Sequence, residues 1–208
     1  MLKFPLNRVK TKSWSKERRN DLMEKGVNAN VSLLVEGYPR NGFQIFSKYL
    51  SGDDGVCITR LHPEYVVEKY GLANSKFHWL SGVKHKDALC PKNLSNLVKQ
   101  VRTEVKVGHK KFFLDGLEYL LLWNDMNKIV SALKDIDHML GTSKGSMIIS
   151  IDPLTFEERD LKRLWGAFPQ FDTSPLNEGF QHSDATAPVD KGQIGADLLV
   201  SKGLTATP

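Results

Sequence analysis

A run of aliphatic residues, Val31-Ser-Leu-Leu-Val-Glu36, leads into Gly37-Tyr-Pro-Arg-Asn-Gly42 and then Phe43-Gln44. Two glycines at that spacing, between a strand and a helix, are the frame of the phosphate-binding loop G-x-x-x-x-G-K-[ST]. There, backbone N–H groups cradle phosphates, a lysine reaches the outer ones and a hydroxyl ligates Mg²⁺. Here Phe43 stands where the lysine belongs and Gln44 where the hydroxyl belongs. Losing one pre-organised transition-state donor costs about 10²–10³ in rate, and the metal-ligand position is gone as well. Arg40 supplies positive charge from inside the loop rather than from the helix start, and the Phe43 ring is expected to enter the crevice. The pattern argues against ATP hydrolysis by the usual route. It leaves Gly37, Arg40, Asn41 and Gly42 as candidate ligand contacts of a degenerate P-loop, against the alternative that two turn glycines simply join a strand to a helix.

Four apolar strands end in polar groups, namely Glu36, Thr59-Arg60, Asp115 and Asp152. In an open parallel sheet, ligands bind just beyond the carboxyl ends of the strands. Phe112-Phe-Leu-Asp115 has the form of a Walker B strand, whose acid holds Mg²⁺ directly or through water. Glu118 follows one helical turn later and could face the same crevice; an acid there needs a cation or a hydrogen-bond donor, which Arg60 or a backbone N–H could supply. Asp115 reads equally as a turn-capping residue, and Asp152, before Pro153, reads better as one. No G-x-S-x-G elbow occurs, and neither cysteine has a histidine partner motif. The six histidines have no metal-ligand spacing and read mostly as surface or loop residues. Gly141-Thr-Ser-Lys-Gly145-Ser follows a helix and precedes a strand, so a helix C-cap explains it better than an anion site.

The elements that must position these groups alternate between strand and helix. Strands are expected at 31–36, 56–60, 77–80, 111–115 and 147–151. A helix entered through Pro91 carries Leu94, Leu97, Val98, Val101 and Val105 on one stripe. One long helix is expected from Leu117 to about Leu140, with Asn124 as a satisfied amide inside its apolar stripe. Thr155 with Glu158 has the form of a capping box. Trp79, Trp123 and Trp165 read as core aromatics. The implied fold is α/β in three layers, with a mainly parallel five-stranded sheet built like a P-loop or RecA-like domain that has no functional Walker A loop. The domain occupies 30–170, preceded by a basic arm, 1–29, and followed by a polar tail, 171–208, expected to be disordered.

The chain has 208 residues and a formal net charge of +5, distributed unevenly. Residues 1–26 hold eight basic side chains against three acidic ones. Lys10, Lys12, Lys16, Arg18 and Arg19 are the candidate nucleic-acid contacts there, with a solvated basic terminus as the alternative. No apolar run approaches the roughly 20 residues of a membrane helix, and Met1–Lys12 lacks the apolar stretch of a secretory signal. Two cysteines without metal or disulfide spacing suit a reducing cytoplasm.

Several separated strings resemble one family. These are Gly37 through Phe43, Gly55-Val-Cys-Ile-Thr-Arg60 with Pro63, His78-Trp-Leu-Ser81, Phe113-Leu-Asp-Gly-Leu-Glu-Tyr119, and Ile151-Asp-Pro with Glu158 and Leu161. Together they resemble, over roughly 30–168, the mainly archaeal domain of unknown function 835. That resemblance implies a domain that accompanies sensory, membrane or regulatory segments in longer chains. It also implies a sheet order and glycine loop similar to those of RecA- and KaiC-type ATPases without their lysine. The expected function is a non-catalytic regulatory or protein-interaction domain with a protein partner and no cofactor. A weak nucleotide-binding site or NTPase is the alternative, and nucleic-acid binding through the basic arm is the third.

Overall fold

In a computed structural model of the chain, residues 29–37, 40–83, 85 and 88–177 are described. In chain order they form β1 (Val31–Val35), α1 (Gly42–Leu50), β2 (Gly55–Thr59), α2 (Pro63–Tyr70), β3 (Ser75–Leu80) and β4 (Ala88–Leu89). There follow α3 (Leu94–Val107), β5 (Lys111–Asp115), α4 (Leu117–Leu121), α5 (Met126–Ser143), β6 (Ser146–Ile151), a 3-10 turn at Pro153–Thr155, α6 (Glu158–Ala167) and α7 (Ser174–Asn177). No helix among the described residues is long and apolar enough to cross a membrane.

The sheet has the order β1-β6-β5-β2-β3-β4, and every neighbouring pair is parallel. Its central strands read as continuous apolar runs because helices cover both faces. Phe112 and Leu114 of β5 point to one face, where they meet α3, α4, α5 and α6. Phe113 points to the other, among α1 and α2. There its ring stacks on Phe46 at a centroid distance of 5.1 Å and meets the edge of Phe43 at 5.2 Å.

The five expected strands are all present, and a sixth joins them. β4 pairs Trp79 with Ala88 and Leu80 with Leu89, but two residues are too few to carry a period that a sequence could display. The single helix expected from Leu117 to about Leu140 is instead two. Asp125 interrupts it by capping α5, its side chain accepting the Lys128 N–H at 3.1 Å. Asn124 is the satisfied amide anticipated, donating to the carbonyls of Leu120 and Pro91, both at 2.9 Å. Asp152 caps a turn by accepting the Leu154 N–H at 3.0 Å, and Lys144 ends α5 in the left-handed region as a C-cap.

Three local expectations are corrected. Thr155 does not cap α6, because the 3-10 turn ends on it and the helix starts only at Glu158, with Glu157 in the cap position; its hydroxyl donates to the Asp152 carbonyl (2.7 Å). Trp123 and Trp165 are exposed rather than core residues. The reason for Trp123 is the helix break, which leaves the ring in the inter-helix turn with the Lys92 ammonium 4.1 Å from its centroid. Trp79 is half-buried, its Nε1–H donating to the Arg60 carbonyl at 3.1 Å.

The start of the segment read as a polar tail is ordered by pairing. Leu33 N–H donates to the Pro169 carbonyl and Phe171 N–H to the Leu33 carbonyl, each at 2.8 Å, so residues 169–171 run along the outer edge of β1. The Phe171 ring meets Tyr49 edge-on, and α7 follows. Residues 178–208, like the basic arm up to residue 28, lie outside the described residues.

A buried acid ties α3 to the amino ends of the strands. Glu104 has a side-chain exposure of 0%. Its Oε1 accepts from Lys76 Nζ at 2.9 Å, His78 Nε2 at 3.0 Å and Gln100 Nε2 at 2.9 Å. His109 Nε2 stands 3.5 Å from Oε2, while its Nδ1 is 2.8 Å from Asp54. Burial opposes the Glu104 charge, but Lys76, Gln100 and His78 outweigh it and hold the carboxyl below its ordinary value. The folded-state value is thus lower than the unfolded one, so the stabilisation is complete above the ordinary glutamate range and fades as pH falls through the folded value. Glu104→Gln is expected to destabilise the protein at pH 7 and to flatten its loss of stability on acidification. Urea midpoints from pH 7 to pH 3 that fall in parallel for both proteins would contradict this assignment.

Candidate functional site

Adjacent strands β2 and β5 send their following helices to opposite faces, α2 to one and α4 with α5 to the other. Such a reversal opens a crevice at the carboxyl ends of the two strands, the usual place for a ligand in an open α/β sheet. The register sets Thr59 at the end of β2 beside Asp115 at the end of β5. The Thr59 hydroxyl donates to Asp115 Oδ2 at 3.0 Å and accepts the Leu61 N–H at 3.0 Å. Gly116 then takes φ 111°, a conformation an L side chain rarely adopts, which starts α4 immediately and turns Glu118 back over the crevice.

Arg40 closes the group. From the glycine loop its Nη1 reaches Asp115 Oδ1 at 3.3 Å and its Nη2 reaches Glu118 Oε1 at 3.1 Å. Arg60 Nη2 approaches the same Glu118 oxygen at 3.4 Å. The Asp115 and Glu118 side chains are 4% and 14% exposed, so these are shielded pairs rather than surface ones. Glu118 Oε2 is buried and has no hydrogen-bond partner. Burial pushes the Asp115 carboxyl up, with the Glu118 charge adding to it, and the Thr59 hydroxyl and both guanidinium groups only partly offset that rise. Burial opposes the Arg40 charge, yet the Glu118 and Asp115 carboxylates more than compensate and raise its basicity.

A second acid fills the start of α1. Glu36 Oε2 accepts the Asn41 N–H at 2.7 Å, and the Ser150 hydroxyl donates to Glu36 Oε1. A Cβ on Gly42 would lie 2.6 Å from Glu36 Oε1 and 2.9 Å from Phe113 Cζ, so this glycine admits the acid and the ring. Phe43 does not enter the crevice. It turns into the core, stacked on Tyr70 with centroids 4.9 Å apart, because the helical phase that places Gly42 under Glu36 points the next side chain at α2.

The structure therefore brings Arg40, Arg60, Asp115 and Glu118 together in one cluster. Gly42 lies beside it under Glu36, and Asn41 contributes its backbone N–H rather than its side chain. Gly37 has open space where a Cβ would stand. Lys10, Lys12, Lys16, Arg18 and Arg19 lie outside the described residues. Ser150 was not singled out, although a lone hydroxyl in Met147-Ile-Ile-Ser-Ile151 was a visible signal. Glu104 was also missed, although it lies on the helical stripe of Leu97 and Val101.

A family model described as Protein of unknown function (DUF835) matches residues 39–168. The chain belongs to that family. The DUF835 region takes in Arg40, Arg60, Asp115, Glu118 and Ser150, while Glu36 and Gly37 fall just ahead of its first matched residue. No curated protein matches the chain.

Two outcomes follow from this geometry. Gly42→Ala forces Glu36 or Phe113 aside and is expected to cost about 1–3 kcal/mol of stability, read as a lower urea midpoint; an unchanged midpoint would show that the two neighbours yield freely. The folded-state value of Asp115 lies above the unfolded one, so its ionisation weakens the fold at neutral pH, and that penalty vanishes as pH falls through the folded value. Asp115→Asn is accordingly expected to raise the melting temperature at pH 7, with the gain disappearing in acid. A fall at pH 7 would contradict it.

Proposed function

We propose that this domain is a non-catalytic regulatory or protein-interaction module on a degenerate P-loop-like scaffold. One observation carries the reading: the positions where a nucleotide and its metal would act are occupied by the chain's own charges. Arg40 faces Asp115 and Glu118, where a working site would set a cation against its Walker B acid. Glu36 takes the Asn41 N–H at the head of α1, where a phosphate oxygen would sit. The absence of a lysine at Phe43 and of a hydroxyl at Gln44 agrees with this, since neither side chain has the chemistry of the residue it replaces. The placement of the acid-bearing β5 with one strand, β6, between it and β1 supports kinship with P-loop architecture without requiring its catalysis. Purified protein incubated with Mg²⁺-ATP is expected to release no phosphate above the buffer rate. Steady turnover that vanishes in Asp115→Asn would refute the non-catalytic reading.

Nucleotide binding without hydrolysis is the second reading, favoured by a specific feature. Glu118 Oε2 is a buried acceptor with no donor, at a crevice flanked by two arginines, and a ligand N–H or O–H placed there would satisfy it. Calorimetric titration with ATP, GTP and cyclic nucleotides, with and without Mg²⁺, tests this reading. Heat that is abolished in Arg40→Ala would support it, and no heat at millimolar ligand would remove it.

A further inference from the structure

α3 and α5 pack against each other on one face of the sheet, and an open groove of about 800 Å³ runs between their carboxyl-terminal halves. Val105 and Met139, both half-buried, supply its apolar floor. Arg102 and Lys106 stand exposed one helical turn apart on the α3 wall, and exposed His138 stands on the α5 wall. Asp135 is the one acid among the lining residues. Arg102 and Lys106 have no ion-pair partner among the described residues. Cations on α6 are treated differently: Lys162 pairs with Glu158 at 2.7 Å and Arg163 with Asp160 at 3.4 Å. The groove thus joins aliphatic surface to positive charge that the fold leaves unanswered.

We propose that this groove docks an acidic amphipathic helix of another protein. The inference rests on reading the domain as a protein-interaction module and names the partner class. A helix lying in a groove presents apolar side chains at i, i+3, i+4 and i+7 to the floor and keeps its polar face at the rim. Leucine-type anchors fit Val105 and Met139, and carboxylates beside them meet Arg102 and Lys106. A nucleic-acid strand is the less suitable occupant, because the floor is aliphatic and the His138 imidazole is the one ring among the lining residues, too few to stack successive bases.

The test uses the full chain and a fluorescein-labelled helical peptide with leucines on one face and glutamates elsewhere. A second peptide of identical composition has its leucines scattered around the helix. Anisotropy titrations are expected to show saturable binding of the first peptide, at least about tenfold weaker binding of the second, and weakening with salt. Arg102→Glu with Lys106→Glu is expected to lower the affinity by about tenfold or more. Met139→Ser is expected to weaken it without changing its salt dependence, and circular dichroism checks that both variants fold.

Equal affinity for the two peptides, binding indifferent to both variants, or no saturable binding would overturn the proposal. So would displacement of the peptide by a single-stranded oligonucleotide whose own binding is tighter and depends on Arg102 and Lys106. A dimer in sedimentation that dissociates in the charge-reversed variant would place a second copy in the groove instead. The groove lies toward the amino ends of the strands and the Arg40 cluster at their carboxyl ends. ATP turnover and loss of peptide binding are therefore separate failures.

Discussion

A carboxylate removed from water at the meeting of two parallel strands must be met by donors or by positive charge, and Asp115 imposes that requirement on the crest of this sheet. The parallel register answers part of it by fixing Thr59 beside it. The remainder is answered from a distance in sequence: Arg40 arrives from the loop after β1, on the far side of β6. Glu118 then divides the charge of Arg40 with Asp115 and draws in Arg60 as well. The conformation of the described end of the glycine loop is thus bound to the end of β5, although the two strands do not touch. Even with these partners the Asp115 carboxyl stays above its ordinary value, so its surroundings hold it at a cost that packing elsewhere must offset.

A comparable arrangement occurs at the opposite end of the strands. Glu104 is a buried acid on a helix, served by side chains from β3, from its own helix and from the segment leading into β5. The two clusters differ in the sign of their net effect. Glu104 has enough donors to hold its proton off more readily than a free glutamate, whereas Asp115 does not. An acid whose partners outweigh its burial, as at Glu104, behaves as a structural tie between elements. An acid whose partners fall short of its burial, as at Asp115, stands instead at the reversal of strand connections.

The alternation of strands with helices was legible in the sequence because buried parallel strands are written as uninterrupted aliphatic runs, such as Met147-Ile-Ile-Ser-Ile151. Arg40, Arg60 and Asp115 were also legible, since each sits at a strand end or inside a turn where polarity interrupts an apolar pattern, and Glu118 follows within one helical turn of Asp115. Three kinds of feature were not. The β4 pairing is two residues long and leaves no period. The break between α4 and α5 depends on Asp125 acting as a cap, which a hydrophobic stripe running through it conceals. The inward turn of Phe43 depends on the phase of α1, fixed by the contact of Gly42 with Glu36 and Phe113 rather than by its own neighbours. Long-range pairings such as Glu36 with Ser150 are invisible to any local pattern, because they follow from strand order alone.

The strip from Pro169 to Phe171 lies along the outside of β1 and takes up both polar groups of Leu33 that would otherwise face outward. Any process that lengthens the sheet from that side, whether a borrowed strand from a visiting chain or the stacking that starts a fibril, must first peel this strip away. The middle of β1 is thereby closed to outsiders on that flank. Whatever approaches there must read it through its side chains.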